Sequence, residues 1–73
     1  MDVSVQFGKV LREIRKAKGL TQEQLGFEAD LRRTFVSLLE LGQQQPTLAT
    51  ILKLSKALEI KPSELIRKVE ESL

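Results

Sequence analysis

Residues 21–42 read TQEQLGFEADLRRTFVSLLELG and are the most informative part of the sequence. Thr21 stands three residues before Gln24, which is the spacing of a capping box and predicts that a helix begins here. Leu25 and Ala29, four residues apart, form the inward face of that helix. The apolar pattern ends after Ala29, so this helix is expected to be short.

A second short helix follows after a tight turn. Asp30 interrupts the apolar pattern, which resumes over a helix that we expect from residue 31 or 32 to residue 41. Val36 and Leu39 point inward from this helix. A short capped helix, a tight turn and a second short helix together make a helix-turn-helix, which we place at about residues 21–42.

Glycine and proline divide the rest of the chain into three further helices. Apolar spacing predicts one helix over about residues 4–18, one that Thr47 caps and one whose first turn holds Pro62. The apolar stripe of the fourth helix consists of Leu48, Ile51, Leu52, Leu54 and Leu58. No segment alternates polar and apolar residues as a strand does. The sequence therefore predicts an all-α fold of five helices in a single domain over residues 1–73.

The composition argues against most catalytic and metal chemistry. The 73 residues include no Cys and no His, which removes the thiolate and imidazole ligands of metals and the commonest general base. The carboxylates are scattered over helix surfaces, and the glycines form no phosphate-binding loop. We therefore expect no metal, no cofactor and no enzyme activity.

The charge and hydropathy of the chain suggest a cytoplasmic protein that does not enter membranes. There is no apolar run of transmembrane length, and the N-terminus lacks the basic and apolar regions of a signal peptide. Twelve Lys and Arg against ten Asp and Glu give a net charge of +2. This balance is compatible with nucleic acid, although the placement of the charges matters more than their sum.

The start of the second short helix is the strongest candidate for a binding site. In a helix-turn-helix the N-terminal residues of the second helix reach base edges in the major groove, and here they are Arg32, Arg33, Thr34 and Phe35. Two arginines at this helix N-terminus are repelled by the positive end of the helix dipole. DNA phosphate and guanine would compensate this unfavourable arrangement. Thr34 and Phe35 suit a thymine methyl group. The alternative is that both arginines are solvated surface charges near Glu28 and Asp30.

The whole pattern resembles the phage Cro/repressor-type helix-turn-helix family, also called the xenobiotic-response-element family. Matching residues are Arg15, Gly19-Leu20-Thr21-Gln22, Leu25, Ala29, Val36-Ser37, Leu39-Glu40, Gly42, Pro46-Thr47-Leu48, Leu52, Leu54, Ala57-Leu58 and Glu64-Leu65. The resemblance implies a compact, lambda-repressor-like domain that binds double-stranded DNA. Residues 33–37 look most like the controller proteins of restriction–modification systems, which are similarly short and bind as dimers.

The resemblance also implies roles for individual residues. The base-reading positions are Arg33, Thr34, Phe35, Ser37 and Leu38. The phosphate-binding positions are Gln22, Arg32, Gln43 and Gln44, to which we add Lys9 and Arg12 as neutralising charges. Arg15 and Glu40 match a structural salt bridge between the first and third helices. The simpler alternatives are that Gln22 is a spacer in the capping box and that Gln43 and Gln44 form a solvated turn.

The chain departs from the family pattern at several positions. Asp30 stands where the interhelical turn usually has Gly, and Asp tolerates the left-handed conformation better than most residues. Apolar residues also occupy positions where polar ones are common: Phe27, Phe35, Leu38 and Leu41. Thymine-methyl contact would explain Phe35 and Leu38. A protein partner, such as a polymerase subunit or a toxin, or simple excess hydrophobicity would explain Phe27 and Leu41.

The last part of the chain, about residues 47–73, is expected to form a homodimer. Ile66, Val69 and Leu73 continue an apolar face beyond the inward Leu65, and the alternative is that they only complete the core. A symmetric dimer would bind a pseudo-palindromic operator with half-sites roughly 34 Å apart. The function expected is that of a transcription regulator, either repressor or activator. The alternatives are a DNA-binding antitoxin and a protein-binding module.

Overall fold

A computed structural model describes residues 2–73, and five α-helices account for the regular structure in this range. They are α1 (Val3–Ala17), α2 (Gln22–Ala29), α3 (Arg33–Glu40), α4 (Leu48–Ala57) and α5 (Pro62–Ser72). No strand occurs among the described residues, so the predicted all-α class is confirmed. The predicted bounds of α1 and α3 differ by one or two residues, within the uncertainty of helix ends. Within residues 2–73, no helix is both long and apolar enough to cross a membrane.

Side-chain caps explain where three of the helices begin. Asp2 accepts a hydrogen bond from the backbone N–H of Ser4, and Thr47 accepts one from that of Thr50. The capping box is complete, because the Thr21 hydroxyl accepts from the Gln24 N–H while the Gln24 side chain accepts from the Thr21 N–H. Such caps each stabilise a helix by about 1 kcal/mol.

The turn between α2 and α3 combines a left-handed residue with a close backbone approach. Asp30 adopts φ 56° and ψ 46°, the conformation that its side chain tolerates. The N–H of Leu31 then donates to the carbonyl of Gly26 over 2.8 Å. A Cβ at Gly26 would lie 2.6 Å from the Leu31 carbonyl oxygen. The glycine that this turn requires is therefore Gly26, inside α2, whereas the turn position itself holds Asp30.

The core lies where α1 meets α3 and α5, and where α2 meets α3 and α4. Its buried apolar residues are Phe7, Val10, Leu11, Leu25, Ala29, Val36, Leu39, Leu54, Leu58, Leu65 and Val69. Val36 and Leu39 are fully buried, so one side of α3 packs against the core and the opposite side faces outward.

Burial corrects one apolar assignment made from the sequence and divides the α4 stripe. Val69 is only 6% exposed and belongs to the core, so it does not offer an exposed contact, unlike Ile66 and Leu73. Conversely, Leu48 and Leu52 of the α4 stripe are 74% and 50% exposed. Leu54 and Leu58 already fill the side of α4 that faces the core, which leaves the other two on its flank.

Gly8 provides a test of the packing between α1 and α3. A Cβ at this position would lie 2.5 Å and 2.6 Å from the carbonyl oxygens of Leu39 and Glu40. Gly8→Ala is expected to lower the free energy of unfolding by about 1–3 kcal/mol because the helices must separate. Helix propensity alone would raise it by about 1 kcal/mol. Urea unfolding measures the difference, with Lys16→Ala on the exposed side of α1 as the control; unchanged or increased stability of Gly8→Ala would contradict the close approach.

Candidate nucleic-acid interface

The N-terminus of α3 is exposed, cationic and without a side-chain cap. Arg32 occupies the N-cap position in an extended conformation, and its side chain makes no capping hydrogen bond. Arg32, Arg33 and Thr34 are all exposed. The first N–H groups of a helix have no intrahelical acceptor. Two guanidinium groups and the positive end of the helix dipole thus lie together on the surface, an arrangement that favours an anion.

The outward face of α3 is more apolar than the family pattern implies. Ser37 and Leu38 are half-buried one turn after the N-terminus, and Leu41 is exposed at the end of the helix. Phe35 is half-buried and packs against the core. The core thus covers part of the Phe35 ring, and contact of the remaining part with a thymine methyl group stays a prediction.

The N-terminus of α2 lies beside that of α3. An open polar groove runs between the end of α1 and the start of α2, and its lining includes Arg15, Gln22 and Arg33. The structure therefore brings Gln22 and Arg33 together, although eleven positions separate them in the sequence. The capped N-terminus of α2 presents further backbone N–H groups near this groove.

A buried polar network joins α1, α2 and α3 behind this groove. Arg15 Nε and Nη2 donate to the two carboxylate oxygens of Glu40 over 2.6 Å and 3.0 Å. Arg15 Nη1 donates to the Leu20 carbonyl over 2.8 Å, and Gln22 Nε2 donates to Glu40 Oε1 over 3.1 Å. The side chains of the ion pair are only 9% and 4% exposed. The structure thus contains the salt bridge that the resemblance implied. Gln22 is a third member of the network, which the resemblance did not imply.

The remaining phosphate candidates lie on α1 and in the loop after α3. Arg12 follows Gly8 by four residues on α1 and shares the side that packs on α3. Lys9 is exposed but lies roughly 100° further round the helix. Gln43 and Gln44 are exposed in the loop after α3, where Gln43 N–H closes the helix by donating to the Leu38 carbonyl.

A family model described as helix-turn-helix matches residues 11–65 of the chain. The chain belongs to this helix-turn-helix family. The resemblance seen in the sequence is therefore confirmed. Family membership also confirms the expectation that the chain is not an enzyme.

Known members of the helix-turn-helix family align with nearly the whole chain. "Control protein C.BamHI" of Bacillus amyloliquefaciens is 41% identical over 66 residues, covering 89% of this chain and 82% of that protein. The crystal structure of the restriction–modification controller protein C.AhdI from Aeromonas hydrophila shares 52% identity and a TM-score of 0.83, over 85% and 94% of the two chains. The controller C.Esp1396I, solved as a tetramer with its 35-base-pair operator, shares 25% identity and a TM-score of 0.89, over 99% and 95%.

Two features of this helix-turn-helix were not found from the sequence. Gly8 and Gly26 permit close approaches of neighbouring backbone. The sequence around an isolated glycine in a helical pattern does not indicate which atoms the glycine will contact. The bond from Gln22 to Glu40 joins residues 18 positions apart, and periodicity within one helix does not predict contacts between helices.

Phe27, 85% exposed on α2, lies outside the core as expected from the sequence.

The buried ion pair should dominate the stability of this site. Arg15→Ala is expected to lower the free energy of unfolding by about 3–5 kcal/mol, because it leaves the Glu40 carboxylate buried without its cation. Arg67→Ala, which removes an exposed arginine paired with Glu64 and Glu71 on α5, is the matched control and should cost at most about 1 kcal/mol. Chemical unfolding of the two variants measures the contrast. Equal losses would show that the network is not strongly coupled to folding.

Proposed function

We propose that this protein is a sequence-specific regulator of transcription that binds double-stranded operator DNA as a homodimer. The observation that carries the proposal is the exposed N-terminus of α3, where Arg32 and Arg33 add two positive charges to an uncapped helix end. Nothing within the described residues neutralises this end through a capping bond. The phosphates and guanine edges of a DNA major groove would supply the missing acceptors.

The relatives support this reading of the surface. C.BamHI is a control protein, C.AhdI is a restriction–modification controller, and C.Esp1396I was crystallised with its own operator. A controller role at a promoter accommodates either repression or activation, depending on where the operator lies. The comparisons and the groove favour DNA over a toxin or polymerase subunit as the primary partner.

Individual side chains divide into base-reading and phosphate-binding roles. Arg33 is proposed to donate two hydrogen bonds to guanine O6 and N7 from the first turn of α3. Thr34, with Ser37 and Leu38 one turn further on, is proposed to contact neighbouring base edges. Gln22 in the groove and Arg32 at the N-cap of α3 are proposed to bind phosphates.

The dimer contact is proposed to form on an apolar rim made of Val3, Leu48, Leu52 and Ile66. All four side chains are exposed. A small groove lined by Val3, Pro46, Ile51 and Ile66, among others, lies within the same surface. The occupant is a second copy of the chain, since self-association of a relative on its operator is documented by the C.Esp1396I tetramer. Leu73 follows Ile66 by seven residues, about two turns further on the same side of the helix, and is proposed to extend this rim.

Selection from a random duplex pool tests the proposed DNA function. The wild type should enrich a pseudo-palindromic site with half-sites roughly 34 Å apart. Arg33→Ala is expected to lose selectivity at one base pair per half-site and about 1–3 kcal/mol of binding free energy. Arg32→Ala should weaken binding to all sequences and reduce the salt slope by about 1. Arg67→Ala, with the same charge change on α5, is the control.

Failure of the wild type to enrich any duplex, or retention of full selectivity by Arg33→Ala, would refute the corresponding part of the proposal. The first result would remove DNA as the ligand. The second would move base reading to other residues of α3 and leave DNA binding intact.

The apolar rim is tested separately by its effect on association. Leu52→Glu is expected to weaken dimerisation by about 100-fold, because the contact would bury an unpaired charge. Phe27→Glu introduces the same group at another exposed apolar position, on α2, and should leave dimerisation unchanged. Sedimentation velocity measures both variants. Dissociation by Phe27→Glu, with Leu52→Glu still dimeric, would place the subunit contact on the α2 side.

A further inference from the structure

The carboxylate of Glu40 is shared between two donors with different surroundings. Arg15 is buried and donates to both carboxylate oxygens, whereas Gln22 is half-buried and lines the polar groove beside Arg33. Glu40 belongs to α3, and Gln22 is the first residue of α2. One carboxylate thus connects the buried ion pair with the surface on which DNA is proposed to bind.

This contact determines which way the Gln22 amide is turned. A carboxylate only accepts hydrogen bonds, so Gln22 must present its NH₂ group, not its carbonyl oxygen, to Glu40. The NH₂ group has two N–H donors, and the bond to Glu40 uses one of them over 3.1 Å. A phosphate likewise accepts hydrogen bonds only. A free Gln22 side chain would present its carbonyl oxygen to the groove in many of its conformations.

We infer that Glu40 is a positioning residue for DNA binding, because it holds the Gln22 amide with its second N–H available to a backbone phosphate. This inference rests on the proposed DNA function and adds to it a role for a residue that does not itself touch DNA. It also makes the phosphate contact of α2 dependent on the position of α3. The Gln22–Glu40 bond thereby links the phosphate contact to the helix that carries the base-reading turn.

A double-mutant cycle between Gln22 and Glu40 tests the inference on the operator. Gln22→Ala should weaken binding about tenfold in the wild-type background, as expected for a lost hydrogen bond to a charged phosphate. In the Glu40→Gln background the same substitution should weaken binding less than about twofold, because the new side chain has one acceptor oxygen, which Arg15 occupies, and an NH₂ group that repels the NH₂ group of Gln22. Gln24→Ala, which removes a glutamine that caps α2 from its exposed side, is the control and should give the same small factor in both backgrounds.

Replacing single operator phosphates with uncharged methylphosphonates identifies the contact itself. One position should weaken wild-type binding and leave Gln22→Ala unaffected. If Glu40→Gln does not fold, Gln22→Asn tests with the ion pair intact whether binding needs an amide at the distance at which Glu40 holds it. Its amide is one methylene too short to remain bonded to Glu40, so its binding should be as weak as that of Gln22→Ala.

The outcomes separate this inference from the proposed function. Equal factors for Gln22→Ala in both backgrounds, or wild-type affinity of Gln22→Asn, would overturn the positioning role while DNA binding stands. A wild type that binds no duplex would overturn the proposed function itself. Strong coupling between Gln22 and Glu40 in the cycle would support the role of Glu40. The same holds for one phosphate whose replacement weakens binding only when Gln22 is present.

Discussion

The buried contact between Arg15 and Glu40 is the constraint on which the helix-turn-helix depends. Taking two charges out of water is costly, and the cost is offset only when the remaining donors and acceptors are also bonded. Here the guanidinium bonds both carboxylate oxygens and the Leu20 carbonyl, and the carboxylate also accepts from Gln22. No buried side-chain nitrogen or oxygen within residues 2–73 lacks a partner. Because these bonds are directional, they hold α1, α2 and α3 in one register.

The length of α3 makes this anchoring necessary. Eight residues form too short a helix to be stable alone in water, so tertiary contacts must hold α3 in place. Val36 and Leu39 pack in the core along its length, and at its carboxyl-terminal half the carbonyl groups of Leu39 and Glu40 approach Gly8 while the Glu40 side chain meets Arg15. Arg33 and Thr34 in the first turn stay exposed on a helix that is held in place. This is the requirement for a helix that must present a rigid end to a ligand.

Local chemistry made most of the fold predictable, and long-range packing accounts for what was missed. The capping box at Thr21 and the left-handed Asp30 depend on neighbouring residues, so residue type and spacing were sufficient. Whether Val69 or Leu48 faces the core depends on where α1 and α4 meet α5, which helical periodicity does not contain. Periodicity identifies the apolar side of a helix. That side is wider than the part of it that one small core can bury. The Gln22–Glu40 bond was not predicted for the same reason, since it joins two helices.

The two helix N-termini of the motif differ in a way that stability alone does not explain. Thr21 caps α2 with a reciprocal pair of hydrogen bonds, whereas α3 begins at Arg32 with no side-chain cap and two positive charges at the positive end of its dipole. A Ser or Asp at position 32 would stabilise the free protein by about 1 kcal/mol. An anion that binds only the folded chain would recover this deficit in the complex. An anion bound at the uncapped end of α3 would therefore add stability that the free domain lacks.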